Sequence, residues 1–142
     1  MVRKIEFRGC DYRDDSRTWY YGNLLVEGDK HIITRKEGHL TQRKIVNAKT
    51  VGQYTGLKDT RGQEIYEGDI LADQELGPES HDVLYGSVFW EETAARFAVQ
   101  WHWKNSNKER NPPVSLQSQE KDVYVIGNIY ENANLLPKEA AL

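Results

Sequence analysis

The residues to weigh first for chemistry are one cysteine and four histidines: Cys10, His31, His39, His81 and His102. A metal site needs thiolates or imidazoles converging from suitable spacings, and none of these residues falls in an H-x-x-x-H or H-E-x-x-H unit. His31 and His39 are the pair that a hairpin could bring together. Solvent-exposed histidines that bind nothing are the commoner outcome. Cys10 has only Arg8 nearby to lower its thiol pKa, which is little activation for a nucleophile. The acidic pairs Asp14–Asp15 and Glu91–Glu92 sit in turn contexts, and consecutive residues on a strand point to opposite faces, so neither makes a carboxylate dyad. GLKDTRG (Gly56 to Gly62) is flanked by glycine but lacks the G-x-x-x-x-G-K-[ST] order that cradles phosphates. Neither G-x-G-x-x-G nor G-x-S-x-G occurs. No catalytic set emerges, and neither a metal nor a cofactor is expected.

The aromatic residues offer a different chemistry. Trp101 and Trp103, with Trp90 on the preceding strand and Lys104, Lys108 and Arg110 in the following loop, combine flat rings with cations. Single-strand nucleic-acid binders use that combination to stack bases and hold a backbone. The bland alternative is that the rings fill a core. The surrounding sequence weighs against the first reading, because residues 62–142 carry 6 Lys+Arg against 14 Asp+Glu, and phosphate attraction scales with local positive charge.

The elements that must position these residues read as β-strands. Aromatics make up 11% of the chain, with eight tyrosines and four tryptophans, and glycine recurs at short intervals, which suits strands and turns. Ile5 and Phe7 alternate with Glu6 and Arg8. Thr18 to Val26 reads as a strand, Glu27-Gly28-Asp29 as a hairpin turn, and Lys30 to Thr34 as the returning strand. Weaker strands fall at Ile45–Val46 and at Thr50–Tyr54. Glu67-Gly68-Asp69 is a tight turn feeding a strand from Ile70. Tyr85–Trp90 and Arg96–Trp103 form a hairpin around EETA, with Phe97, Val99, Trp101 and Trp103 on one face by period-two alternation. Val123–Tyr130 is a last buried strand, and Asn132 or Asn134 is placed to cap one short turn before Pro137. Asp73–Asp82 and Lys104–Pro113 read as polar loops.

At 142 residues and a net charge of −3, the chain is one ordinary domain in length. No apolar run approaches a membrane helix, and the first residues carry no apolar signal core. A single cysteine fits a reducing compartment, so a cytoplasmic location with no membrane is expected. The charge is uneven: residues 1–61 carry 13 Lys+Arg and 8 Asp+Glu, the reverse of the remainder. Such polarity suits an anionic partner for the first part or head-to-tail self-association.

One segment goes further than composition. VGQYTGLKDTRGQEIYEGDI (Val51 to Ile70) resembles the signature of the YopX family, small proteins of bacterial phages and prophages. IEFRGCD (Ile5 to Asp11) is similar to the family's opening I-x-F-R-x-W-D, with Cys10 where the pattern usually has tryptophan. GSVFWEETAARF (Gly86 to Phe97) is similar to its G-x-V-x-W segment, and VIGNIYENANLL (Val125 to Leu136) to its closing segment. The resemblance implies one YopX-like domain over 1–142 that is mostly β with little helix. N-terminal antiparallel strands would pack with a C-terminal SH3-like small barrel. Sub-regions are expected at 1–61 (basic, β), 62–136 (barrel) and 137–142 (tail). It implies no catalytic activity, cofactor or ligand.

Glycines of the matched segment suit turns and close-packed backbone. Its polar members Gln53, Lys58, Asp59, Arg61 and Glu67 are harder to explain as fold alone and form, with Trp101 and Trp103, the candidate contact surface. The expected function is that of a phage-derived accessory protein that binds a protein partner or itself. Nucleic-acid binding through the aromatic face and the basic first half is the alternative.

Overall fold

In a computed structural model of the chain, residues 2–11, 13, 17–73, 84–103, 112–118 and 122–136 are described. Eleven strands and two single-turn 3-10 helices make up the regular structure of these residues, with no α-helix among them. Among the described residues no helix is long and apolar enough to cross a membrane. The mostly-β expectation holds. The strands lie in two antiparallel sheets, and neither closes into a barrel among the described residues. Asp14–Asp15, His81, Lys104, Lys108, Arg110 and the 137–142 tail lie outside the described residues, as does most of the two expected polar loops.

The chain divides into two compact units between Gly56 and Leu57. The first unit holds β1 (Phe7–Asp11), β2 (Thr18–Glu27), β3 (Lys30–Glu37), β4 (Leu40–Val46), a 3-10 turn at Ala48–Thr50, and the start of β5 (Gly52–Lys58). Its strand order is β4-β3-β2-β1-β5, with β6 (Glu64–Tyr66) following β5. The β2–β3 hairpin forms where Glu27-Gly28-Asp29 predicts it, pairing Glu27 with Lys30. β4 is longer than Ile45 and Val46 suggest, because its exposed residues Leu40–Lys44 pair fully with β3. That strand is held by ladder hydrogen bonds rather than by burial, and its polar sequence therefore carries little strand signal.

The sheet of the first unit curls. After β4 the chain returns to β1, where the Asn47 N–H donates to the Cys10 carbonyl at 3.0 Å and the Cys10 N–H donates to Thr50 Oγ1 at 2.9 Å. Cys10 is buried, directly opposite Trp19 in the β1–β2 register. Arg8 is also buried, its guanidinium 4.8 Å from the centre of the Trp19 ring, so the charge rests against a π face.

The second unit adds β7 (Asp69–Asp73), β8 (Leu84–Glu91), β9 (Arg96–Trp103), β10 (Val114–Ser115), β11 (Val123–Asn128) and a 3-10 turn at Ala133–Leu135. Its five-stranded sheet runs β10-β9-β8-β7-β11. The β8–β9 hairpin pairs in full register from Leu84–Trp103 to Glu91–Arg96. One face carries the core of Ile65, Leu71, Leu84, Val88, Val99, Trp101, Leu116 and Val123. Fully burying an aliphatic side chain of this size contributes about 1.5–3 kcal/mol. The other face of β9 is buried as well, at Ala98, Gln100 and His102, so the strict alternation of β9 does not separate a wet face from a dry one.

Candidate contact surface

Asp59 lies in the turn between β5 and β6 and is only 6% exposed. Its Oδ1 accepts hydrogen bonds from the backbone N–H of Arg61 at 2.9 Å and of Gln63 at 2.8 Å. Its Oδ2 accepts from the Val125 N–H on β11 at 2.9 Å. One carboxylate thus closes the turn and ties it to a strand far along the chain. Arg61 follows the same path on the exposed side, donating from Nη2 to the Val125 carbonyl at 3.2 Å and lying 4.6 Å from the centre of the Tyr124 ring. The Thr60 N–H adds a bond to the Val123 carbonyl at 2.9 Å.

The second polar cluster of the matched segment is also tied to backbone. Asp69 is 2% exposed, and its Oδ2 accepts from the Tyr66 N–H at 2.8 Å across the Glu67-Gly68 turn. Gly68 has φ +88°, a conformation L side chains avoid, and a Cβ there would lie 2.9 Å from Tyr130 Cε2. The Gly68 carbonyl accepts from the Ile129 N–H at 2.8 Å. The closing segment is braced internally: Asn128 Oδ1 accepts from the N–H groups of Tyr130 and Glu131, and Asn132 Oδ1 accepts from the Asn128 N–H. Asn132 precedes the short turn as expected, yet its side chain serves Asn128 and makes no cap bond to that turn.

Of the seven candidate residues, the structure brings Asp59 and Arg61 into direct contact. Lys58 is exposed at the end of β5, Glu67 is half-buried in its turn, and Gln53 is half-buried in the first unit. Trp101 is a core residue at 8% exposure, and Trp103 packs against the same core. Trp101 faces Gly86 across the β8–β9 ladder, where a Cβ would collide with Val99 Cγ1 and lie 2.9 Å from the indole. Glycine at that position is what admits the ring. Trp90 is the exposed one of the three, at 44%, edge-on to Phe97 with ring centres 5.0 Å apart.

His31 and His39 do not converge. His31 sits near the start of β3 and His39 in the turn beyond its end, so the pair that a hairpin might have joined is held apart by the length of one strand, roughly 25 Å at ~3.3 Å per residue. His102 is buried on β9. No group of three or more His, Cys, Asp or Glu among the described residues is placed to hold a metal. Glu91 is engaged by Arg96 at 2.7 Å, and Glu92 is exposed in the turn beyond.

A second feature, in the first unit, was not anticipated. A groove of about 140 Å³ lies over β2, β3 and β4, lined by Tyr20, Ile33, Arg35, Glu37, Gln42 and Lys44 and flanked by Trp19 and Tyr21. Ile33 is buried, and Arg35, Gln42 and Lys44 are exposed. Lys44 Nζ lies 5.5 Å from the centre of the Tyr20 ring, and Gln42 Nε2 donates to Glu37 Oε2 at 2.9 Å. Nearby, the Arg13 guanidinium and N–H hold the Asp11 carboxyl below its ordinary range, with Lys44 adding a smaller pull. The signal in the sequence was the Trp19-Tyr20-Tyr21 run followed by residues 30–49, which carry 6 Lys+Arg and 1 Asp+Glu. Over residues 1–61 as a whole, with 13 Lys+Arg and 8 Asp+Glu, this local excess is diluted.

The family profile described as YopX protein matches residues 6–137. Among solved structures, the chain is similar to protein EF1440 from Enterococcus faecalis, with a TM-score of 0.57 and 21% identity, over 96% of this chain and 100% of that one. At that identity the likeness speaks for the fold. No curated protein matches the chain. In this chain the Asp59 and Gly68 turns fasten the middle matched segment to the closing one, and the match over residues 6–137, nearly the whole chain, shows that it belongs to the YopX family.

Proposed function

We propose that this chain is a phage- or prophage-derived cytoplasmic accessory protein that works by binding another macromolecule, or a second copy of itself, rather than by catalysis. The observation that carries this reading is where the polar residues of the signature are used. Asp59, Asp69, Asn128 and Asn132 accept backbone N–H groups, and Arg61 donates to a carbonyl. Side chains used in this way hold turns and strands and present no reactive group to a substrate.

The surface that remains is suited to contact. β4 stands at the end of its sheet, exposed from Leu40 to Ile45, with Leu40 at 75% and Ile45 at 40% exposure. Arg43 and Lys44 on it discourage indiscriminate edge pairing, which leaves the strand open to a partner chosen by charge. The uneven charge of the chain points the same way.

Native mass spectrometry of the protein released gently from its cells tests this reading. The expected result is a species heavier than the single chain, containing a second copy or a co-purifying macromolecule, that dissociates at raised salt. A single chain carrying no macromolecule under those conditions would contradict it.

A further inference from the structure

We propose that the groove over β2–β4 of the first unit binds single-stranded nucleic acid, stacking a base against Tyr20 while Arg35 and Lys44 engage the phosphates. The inference rests on the reading of the chain as a binding protein and names the partner class. Three features of the groove carry it.

Its size comes first. At about 140 Å³ the groove is well below the ~300 Å³ at which small-molecule pockets begin. It accepts one flat ring and leaves the rest of a ligand on the surface, as a polymer contributing one unit would require.

Its lining comes second. Tyr20 offers a ring on the same face as Arg35 and Lys44, as the strand register and the Lys44–Tyr20 approach of 5.5 Å require. A ring beside a cation is what a nucleotide needs, since every base has a π face and every linkage an anion. An acidic peptide would satisfy the cations and leave the ring unused. Glu37, the acidic residue of the lining, is engaged by Gln42, which moderates its repulsion of phosphate.

The surrounding charge comes third. The segment 30–49 carries 6 Lys+Arg against 1 Asp+Glu. Arg35 and Lys36 are exposed and form no ion pair with a described residue, whereas Arg43 is paired with Glu27 at 3.1 Å. The field over this hairpin is positive although the chain as a whole is acidic, and phosphate responds to the local field. The β9 tryptophans do not compete as a stacking site, because their rings are packed in a core.

The test is fluorescence anisotropy of the full chain with a fluorescein-labelled oligo-dT and with an abasic strand of equal length, at low salt and then with salt added. The expected result is saturable micromolar binding to oligo-dT, weaker binding to the abasic strand, and release by salt. Arg35→Ala with Lys44→Ala, both exposed positions, should flatten the salt dependence by about 0.7 per lost phosphate contact in log–log slope. Tyr20→Leu should weaken binding by roughly 5- to 150-fold, with circular dichroism confirming that the variant is folded. Lys49→Ala, outside the groove, should lose far less than either variant. Equal binding of the two strands would overturn the stacking role, and unchanged binding by the groove variants would overturn the site. No binding to oligo-dT at low salt would overturn the proposal entirely. A heavier species in native mass spectrometry would then still support a binding protein with a different partner.

Discussion

Asp59 and Val125 are joined by a 2.9 Å hydrogen bond from the Val125 N–H to Asp59 Oδ2, across 66 positions of chain. The bond connects the middle matched segment to the closing one. A second link runs from the Ile129 N–H to the Gly68 carbonyl at 2.8 Å. Two stretches that look independent in the sequence are therefore parts of one hydrogen-bonded assembly in the second unit, and Asp59, Arg61 and Asp69 of the signature are explained by the backbone they hold in place.

Removing the Asp59 carboxylate leaves three backbone N–H groups without their acceptor. Asp59→Ala is expected to lower stability by about 2–4 kcal/mol, from the cost of buried unpaired donors and of lost bonds to a charged group. Asp59→Asn retains one oxygen for Arg61 and Gln63 but turns an amide toward Val125, and should lose about 1–2 kcal/mol. Urea midpoints at unchanged m-value measure both.

Gly68 is constrained twice, by its φ of +88° and by the Tyr130 ring. Gly68→Ala should cost about 1–3 kcal/mol from backbone strain alone, and more where the ring cannot move. In a Tyr130→Ala background the same substitution should cost less, because the steric part has gone and the backbone part remains. A double-mutant cycle reads the difference as a coupling energy.

At Gly86 the problem is space, not backbone conformation. Gly86→Val would force carbon into Val99 and the Trp101 indole, and overpacking of this kind costs about 1–3 kcal/mol. Near-ultraviolet circular dichroism should show the tryptophan environment change along with the loss of stability.

Trp90 is 44% exposed and Trp101 is 8% exposed. Trp90→Phe should therefore remove a large share of the fluorescence that acrylamide can quench, whereas Trp101→Phe should leave that share nearly unchanged. Stern–Volmer plots of the two variants decide the point.

Much of the fold could be read from the sequence, for reasons visible in particular residues. Arg96–Trp103 alternates cleanly and pairs as expected, and the Glu27-Gly28-Asp29 turn occurs where its residue types place it. The full length of β4 is hidden in the sequence because Leu40–Lys44 is exposed and mostly polar, and strand patterns register burial rather than ladder bonds. The burial of Asp59 is not legible in the sequence, because a charged residue between Lys58 and Thr60 gives no sign that its acceptors are matched by backbone donors, one of them on β11. The groove of the first unit depends on which residues the β2–β3–β4 register brings to one face, and that register is set by two hairpins together. No single stretch carries it.

The measurement that bears most directly on the account is amide hydrogen exchange at Arg61, Gln63 and Val125, followed by NMR in the natural protein and in Asp59→Asn. One carboxylate holding all three predicts slow exchange at each in the natural protein. The substitution should then speed exchange most at Val125, while amides of the β8–β9 hairpin stay comparatively protected. Fast exchange at these amides in the natural protein, or rates at Val125 that the substitution leaves unchanged, would contradict the structural role assigned to the signature.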